Sequence, residues 1–261
     1  MSGDPAAVLL HLGPGLGNGM ANLHNARRAR VPAVVAVGAH APFHKRFDAP
    51  LESDIDSMAG TVSGWLRRST SPADVAADAG DAIAFARAER RIATIILPAD
   101  VSWSEGAEVA GSVAPQPYPP VLDTGAVEVA LRSGEPTAIL IGGDATRAAG
   151  LEAAARLAHA FEARLLCETF PARLQRGAGI PDAERIAYFG EAALAQLQGT
   201  RNLILAGAVS PVSFFGYPGK PSDLVPEGCA VHTLAGPVGA AVALQFFAQA
   251  FFGQVDRPRM A

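Results

Sequence analysis

Cysteine is scarce in this sequence. The only two, Cys167 and Cys229, lie far apart and form no Cys-x-x-Cys pair. This excludes a disulfide framework and a zinc site built from cysteine pairs, and it is typical of a reducing compartment. No apolar run approaches the roughly 20 residues that span a bilayer. The first residues also lack the basic segment and apolar stretch of a signal peptide. We therefore expect a cytoplasmic protein with no membrane partner.

An excess of positive charge is also absent. The chain carries 21 Lys and Arg against 25 Asp and Glu, a formal net charge of -4 at pH 7. Binding to a nucleic-acid backbone requires Lys and Arg clustered on one face, and the sequence shows no such stripe. We therefore expect no nucleic-acid partner. The hydrophobic fraction, 49% of 261 residues, is sufficient for one large or two small cores.

The apolar residues occur in short runs that alternate with helical patterns. Runs such as Ala33–Val37 and Thr137–Ile141 are followed by Gly and have the length of strands buried on both faces. The alternation predicts parallel sheets covered by helices, and it restarts after a proline-rich stretch. The predicted fold class is α/β, with two parallel-sheet, Rossmann-like, three-layer domains joined by a proline-rich linker. The expected divisions are a first domain at 1–110, a linker at 111–122, a second domain at 123–245 and a tail at 246–261.

The individual elements follow from the same pattern. The predicted strands are Ala6–His11, Ala33–Val37, Thr61–Leu66, Ala93–Leu97, Thr137–Ile141, Arg164–Cys167, Arg185–Tyr188, Asn202–Ala206 and Ala230–Leu234. The predicted helices are Gly19–Ala29, Ser71–Arg90, Thr124–Ser133, Arg147–Glu162, Glu191–Gln198 and Pro237–Phe252.

A glycine-rich segment follows the first predicted strand and reads GPGLGNG from Gly13 to Gly19. It is neither the GxGxxG dinucleotide motif nor a phosphate loop that ends in Lys-Ser/Thr. Glycines let a backbone approach a ligand closely, and the helix that follows offers unpaired N–H groups. Two interpretations stay open: a tight strand-to-helix turn alone, or a cofactor-binding loop formed by Gly13, Pro14, Gly15 and Asn18.

The residue types in this segment are more specific than their spacing. The run HLGPGLGNGMANLHNARRARVPAVVAVG, followed by HAPFHKRFDAPLESDIDSMAGTVSGW, resembles the pyrimidine-binding domain of thiamine diphosphate enzymes. The similarity is to the acetolactate synthase and benzoylformate decarboxylase group, and it continues into their central domain. It implies decarboxylation of a 2-oxo acid, or carboligation, with thiamine diphosphate and Mg²⁺ as cofactors of full-length relatives. It also implies that the central domain binds FAD in some members.

Two histidines are candidate catalytic residues. His11 ends the first predicted strand and His40 follows the second, and ligands of open parallel sheets bind beyond such strand ends. The resemblance implies an active-site His at the position of His11 and a residue that faces the substrate at His40. An imidazole suits a proton-transfer role near neutral pH. The alternatives are a core imidazole at His11 and a solvated loop imidazole at His44, and we predict no metal site.

Three further motifs have structural alternatives. The acidic residues between Asp48 and Asp56 fit the capping of a following helix. Gly142-Gly143-Asp144 lies between a predicted strand and a predicted helix, the place where a nucleotide binds in some relatives. The aromatic turn Ser213–Pro221 is interpreted as a structural or interface element.

Two catalytic parts of the related enzymes have no counterpart in these 261 residues. The resemblance implies a catalytic Glu upstream of the glycine-rich segment, where Asp4 is the only acid. It also implies a GDG…N motif that holds Mg²⁺ and the diphosphate, in a third domain. We therefore expect an incomplete homologue, the second half of a pyrimidine domain plus a central domain, that is inactive alone. The expected partner is a second copy or a chain that supplies the diphosphate domain; a non-catalytic subunit and a nucleotide-binding protein are the alternatives.

The same reasoning predicts the geometry of the site. Gly13, Pro14 and Gly15 should form a tight turn, and Asn18 should begin the next helix. Because loops that follow parallel strands emerge at one edge of a sheet, His11 and His40 should share a pocket. Loss of the outer strands should leave an unpaired apolar edge on the first sheet and cause self-association.

Overall fold

The computed structural model describes residues 4–111 and 124–252, which separate into two compact units divided between residues 117 and 118. Each unit is built around one parallel sheet with helices on both faces, so the α/β fold class predicted from the sequence is confirmed. The predicted linker at 111–122 lies outside the described residues except for Gly111. The predicted tail at 246–261 is described only as far as Phe252.

The first unit contains four strands and five α-helices in its described part. In chain order they are β1 (Ala6–His11), α1 (Leu12–Arg28), β2 (Ala33–Ala39), α2 (Pro42–Lys45), α3 (Ile55–Gly60), β3 (Trp65–Arg68), α4 (Val75–Glu89), β4 (Ile92–Pro98) and α5 (Ala99–Trp103). The strands lie in the order β1-β2-β4-β3, and all neighbouring pairs are parallel.

The core of the first unit has two layers, one on each face of its sheet. On one face, α1 and α3 pack against the alternate apolar residues of β2 and β4, among them Val35, Val37 and Ile96. On the other face, α4 packs Ala82 and Ala86 against β4. Small residues on α4 let this helix lie close to the sheet, because an alanine adds little bulk between helix and strand.

The second unit repeats this plan. Its elements are α6 (Thr124–Arg132), β5 (Thr137–Ile141), α7 (Ala148–Ala160), β6 (Arg164–Cys167), β7 (Glu184–Arg185), α8 (Gly190–Leu197), β8 (Asn202–Ala206), β9 (Ala230–Ala235) and α9 (Ala240–Phe252). The strand order is β7-β6-β5-β8-β9. Helices α6, α7 and α9 cover one face and α8 covers the other. The central strands β5 and β8 are therefore buried along their whole length, as their unbroken apolar sequences predicted.

Most predicted elements are confirmed within one or two residues, and the exceptions have physical reasons. The strand predicted at Thr61–Leu66 lies at Trp65–Arg68, because Val62 belongs instead to the core beside α3. The strand predicted at Arg185–Tyr188 is reduced to Glu184–Arg185, and Tyr188 joins an exposed group of aromatic rings. The largest difference is α1, which begins at Leu12 rather than Gly19.

The two cysteine thiols are free and differ in exposure. Cys167 is buried at the end of β6 and Cys229 is partly exposed, and burial raises the pKa of both thiols. Because only the thiolate reacts, we expect a thiol reagent at neutral pH to modify native Cys229 slowly and Cys167 only after denaturation. Counting modified thiols before and after adding denaturant checks this. A Cys229→Ser variant should lose the native reaction; modification of Cys167 in the native chain would contradict the buried position.

No helix in the described ranges is long and apolar enough to cross a membrane. The same residues contain no group of three or more His, Cys, Asp or Glu side chains that is able to hold a metal ion.

Candidate functional site

The first sheet passes from β1 into α1 without an intervening loop. His11 ends the strand and Leu12 begins the helix with a φ of 53°, in the left-handed region that a bulky side chain seldom adopts. Such a backbone costs of order 1–3 kcal/mol and persists only where packing enforces it. Here Leu12 is buried in the core between α1 and the sheet. The predicted tight turn at Gly13, Pro14 and Gly15 is therefore wrong, because these three residues form the first turn of α1.

Close packing explains the first glycine of this turn, because a Cβ atom at Gly13 would lie 2.3 Å from Ser53 Cβ. A Cβ at Gly15 would lie 3.4 Å from His11 Cβ, an ordinary contact that does not require glycine. The prediction that Asn18 begins the helix is also wrong. Asn18 is exposed, and six residues at about 1.5 Å each place it roughly 9 Å along the helix axis from Leu12. The structure therefore brings Gly13, Pro14 and Gly15, but not Asn18, to the sheet edge.

His11 lies at the carboxyl end of β1, opposite Gly38 of β2. Its side chain is exposed, and a Cβ atom at Gly38 would be 3.9 Å from His11 Nδ1. The imidazole therefore lies beside the bare backbone of Gly38, and the interpretation of His11 as a core residue is wrong. The α1 N-terminus next to it has neither a side-chain cap nor an acidic residue in its first turn.

His40 follows β2 on the same edge, two residues beyond Gly38. Its ring packs against that of His44 with 5.2 Å between centroids. His40 Nε2 is buried and has no hydrogen-bond partner within the described residues. The expectation that His11 and His40 emerge at one edge of one sheet is confirmed by the pairing of β1 with β2.

Two more polar residues at this edge were not predicted from the sequence. Asp100 lies just beyond β4, and Arg68 ends β3. One atom of each, Asp100 Oδ1 and Arg68 Nη1, is buried without a partner among the residues that the structure describes. The signal for Asp100 was present, since it follows the apolar run Ile92–Pro98 just as His40 follows β2. Arg68 carried no comparable signal, because its strand was placed four residues too early.

The strand order shows that these residues lie along one edge of the sheet, and we call them the row. Across the edge β1-β2-β4-β3, the residues follow in the order His11, His40, Asp100 and Arg68. Neighbouring strands lie about 4.8 Å apart, so the row spans roughly 15 Å. Buried polar atoms are nearly always hydrogen-bonded, and the exceptions call for an explanation. Imidazole, carboxylate and guanidinium groups are able to bind a polar ligand, and the imidazole and carboxylate are also able to exchange a proton with it.

The acidic residues after β2 have the structural role that the sequence suggested. Asp54 caps α3 by accepting a hydrogen bond from Ser57 N, and its carboxylate also accepts from Ser57 Oγ. The bond from the Ser57 hydroxyl and then that from the backbone N–H lower the pKa of Asp54. Asp56 pairs with Arg68 Nη2, which fixes the arginine at the end of β3.

In the second unit, backbone contacts fill the position where a nucleotide was considered. The strand order reverses between β5 and β8, which is where doubly wound sheets bind ligands. At this point Gly142 N donates to Ala206 O, and a Cβ at Gly142 would lie 2.7 Å from Gly207 O. Asp144 accepts from Gly239 N and Ala241 N at the start of α9. These glycines and this carboxylate therefore have structural roles, and FAD binding by this unit stays a prediction.

The aromatic turn at Ser213–Pro221 forms part of an exposed ring cluster. Phe214 packs against Phe215, Phe170 and Tyr188 with centroid distances of 4.6–5.7 Å. All of these rings except that of Phe170, together with Phe189 and Lys220, line a cleft of about 250 Å³. The interpretation as a structural or interface element stays a prediction.

Comparisons with known proteins agree with this architecture. Residues 1–59 match the family described as thiamine pyrophosphate enzyme, N-terminal TPP binding domain. The chain is 66% identical over 244 residues to IlvX of Mycobacterium tuberculosis (strain ATCC 25618 / H37Rv), provisionally named an acetolactate synthase large subunit. That match covers 94% of this chain but 47% of IlvX, so the chain spans about half the length of this curated relative.

Two solved structures resemble the fold. One is the thiamine diphosphate-dependent 4-hydroxybenzoylformate decarboxylase of Rhodococcus jostii RHA1, with a TM-score of 0.74 and 18% identity, covering 100% of this chain and 53% of that one. The other is the benzoylformate decarboxylase of Polynucleobacter necessarius, with a TM-score of 0.73 and 18% identity, covering 97% of this chain and 50% of that one. At this identity the likeness concerns the fold alone.

Proposed function

We propose that this chain, which is related to the thiamine diphosphate-dependent enzymes over about half of their length, contributes one wall of a 2-oxo acid decarboxylase or carboligase site. The observation that carries the proposal is the row of polar side chains at the carboxyl edge of the first sheet. It lies in the unit whose residues 1–59 match the thiamine pyrophosphate-binding domain. The relatives' names supply the reaction class.

The residues fit the cofactor at one end only. His40 Nε2, Asp100 Oδ1 and Arg68 Nη1 are unpartnered polar atoms suited to the nitrogen-rich pyrimidine ring. Gly13, Pro14 and Gly15 follow His11 at the carboxyl end of β1, in the first turn of α1. The Mg²⁺-diphosphate end does not fit, because the GDG…N motif that the resemblance implies is not present in these 261 residues. A second copy would lack the same GDG…N motif. We therefore propose that a different chain supplies that end, and we propose no role for Asn18.

Within this site the histidines have the roles of proton carriers. His11 is exposed and stands over Gly38, so it is able to give a proton to, or take one from, a ligand at the strand end. His40 packs against the ring of His44, and its buried Nε2 has no hydrogen-bond partner among the described residues. Stabilisation of the carbanion left by decarboxylation is the chemistry that thiamine diphosphate supplies when bound.

Histidine NMR signals test the location of the ligand. The chain has 6 histidines, and His159 and His232 lie in the second unit as internal controls. We expect thiamine to shift the ring signals of His11 and His40 at a ligand concentration that leaves the controls unchanged. His11→Ala should remove one shifted signal and weaken the response of the other. Shifts confined to His159 or His232, or no shift at all, would contradict the proposed site.

A turnover assay tests whether the chain needs another chain for catalysis. Because the GDG…N motif and the upstream Glu that the resemblance implies have no counterpart in these 261 residues, the chain with thiamine diphosphate and Mg²⁺ should not decarboxylate pyruvate or benzoylformate faster than a protein-free sample. A full-length benzoylformate decarboxylase serves as the positive control. Turnover by the pure chain above the protein-free rate would show that the 261 residues are sufficient.

A further inference from the structure

The two edges of the first sheet are protected very differently. Edge strand β3 has only four residues and ends in two arginines: Arg67 pairs with Asp78 and Asp81, and Arg68 pairs with Asp56. Short length and charged side chains are the usual protection of an exposed edge. Edge strand β1, with the sequence Ala-Ala-Val-Leu-Leu-His, contains no Asp, Glu, Lys, Arg or Pro. Nothing in its sequence discourages another strand from pairing with it.

The outward face of β1 is also uncovered. Helix α4 packs over β2, β4 and β3 on that face. Leu9 is consequently 79% exposed, an unusual state for a leucine in the middle of a strand. Ala7 and His11, which share this face, are exposed as well. β1 therefore combines an open edge with an apolar surface in the described part of the chain.

The hydrogen-bonding groups of β1 divide evenly between its two sides. Ala6 N donates to Pro32 O beside β2, so the even-numbered residues of β1 point their N–H and C=O groups towards β2. Since these groups alternate along a strand, those of Ala7 and Leu9 point to the open edge. Unpaired backbone groups of this kind form a template for an added strand.

We infer that β1 is a homodimerisation edge, on which the β1 strand of a second copy pairs in antiparallel register with Leu9 opposite Leu9. A twofold axis perpendicular to the sheet keeps each face of β1 on the same side in both copies. Odd-numbered residues therefore oppose odd-numbered residues, and registers that pair an odd with an even residue are excluded. In the register centred on Leu9, the exposed Leu9 side chains of the two copies contact each other, and Ala7 of each copy lies opposite His11 of the other. A shift to the next allowed register would set Leu9 against Ala7 and bury less apolar area.

The second copy is the favoured occupant because β1 is complementary to itself. Its residues 6–10 carry no charge, so two copies meet without like charges facing each other. A twofold contact also closes on itself, and it joins two four-stranded sheets into one continuous sheet. A six-residue edge buries less than the 1,200–2,000 Å² of a typical stable interface, so the dimer dissociates on dilution. The interface includes His11, which also belongs to the proposed site, but the sedimentation test below involves neither cofactor nor substrate and changes no residue of that site.

Sedimentation of a charge variant tests the interface. Leu9→Lys places two ammonium groups opposite each other, so its self-association should be at least about tenfold weaker than that of the parent chain. Leu9 is exposed, so the variant should keep the parent's circular dichroism spectrum. Val109→Lys, at a fully exposed valine of the same unit, adds the same charge away from β1 and should associate as the parent does.

Cross-linking tests the register. In a Cys229→Ser background, a short bis-maleimide reagent should join Leu9→Cys chains into dimers but leave Val109→Cys chains as monomers. A parent chain that stays monomeric at every concentration would overturn the inference. So would equal association of Leu9→Lys and Val109→Lys, which would place the contact elsewhere, such as the aromatic cluster around Phe214.

Discussion

Replacing Gly207 by Ala is expected to lower the free energy of unfolding of the second unit by about 2–5 kcal/mol. Gly207 has a φ of 78°, which costs an L-residue about 1–2 kcal/mol. A Cβ there would also lie 2.4 Å from Gly142 O and 2.9 Å from Ala240 Cβ. The first of these is a backbone atom held by β5, so it is unable to move aside cheaply, and overpacking adds roughly 1–3 kcal/mol.

Gly199 provides the matched control. Its φ of 81° is almost the same, but a Cβ at this position would meet nothing within 4 Å. Gly199→Ala should therefore show the backbone cost alone, about 1–2 kcal/mol. Urea unfolding followed by far-ultraviolet circular dichroism measures both variants, and tryptophan fluorescence reports the first unit, where Trp65 and Trp103 lie. Equal losses in the two variants would mean that the contact at Gly207 contributes nothing.

Replacing Asp144 by Ala is expected to destabilise the second unit by about 2 kcal/mol. Asp144 Oδ2 accepts from Gly239 N at 2.9 Å, and Oδ1 accepts from Ala241 N at 3.0 Å. The carboxylate thus satisfies two free N–H groups at the positive end of α9, and α9 contributes Leu244 and Phe247 to the core. Loss of the cap should loosen this helix and the packing of α7 against it.

An Asn variant separates the structural role of Asp144 from a ligand-binding role. Asp144→Asn keeps one acceptor oxygen but removes the charge, so its loss of unfolding free energy should fall between those of the parent and Asp144→Ala. Urea titrations of the three chains check this order. If Asp144 instead served a nucleotide, both variants would keep the parent's stability and lose nucleotide binding, which would contradict the capping role.

The strands were predictable because burial on both faces leaves a direct record in the sequence. Thr137–Ile141 and Asn202–Ala206 each consist of one polar residue followed by four apolar ones, and the structure confirms both strands to the residue. The start of α1 was not predictable, because glycine and proline normally end a helix. Here the packing of Leu12 and Leu16 in the core, and of Gly13 against Ser53, outweighs the weak helix propensity of the segment.

The candidate site divides in the same way. His11 and His40 could be chosen from sequence because each follows an apolar strand, although their proposed roles came from the family resemblance rather than from any spacing. Arg68 could not be found, because it depends on the true position of β3 and on its pairing with Asp56. Only the strand order shows that His11, His40 and Arg68 lie along the same sheet edge as Asp100.

The sequence by itself determined the α/β class, the number of sheets and most strands, because hydrophobic periodicity is a local property of the chain. Tertiary structure alone decided three other features. It decided that the glycine-rich segment is a helix, that Gly142 and Asp144 are packing and capping residues, and that β1 is an edge with Leu9 uncovered. Each of these depends on atoms from distant parts of the chain meeting in space, and the order of residues along one segment does not record such contacts.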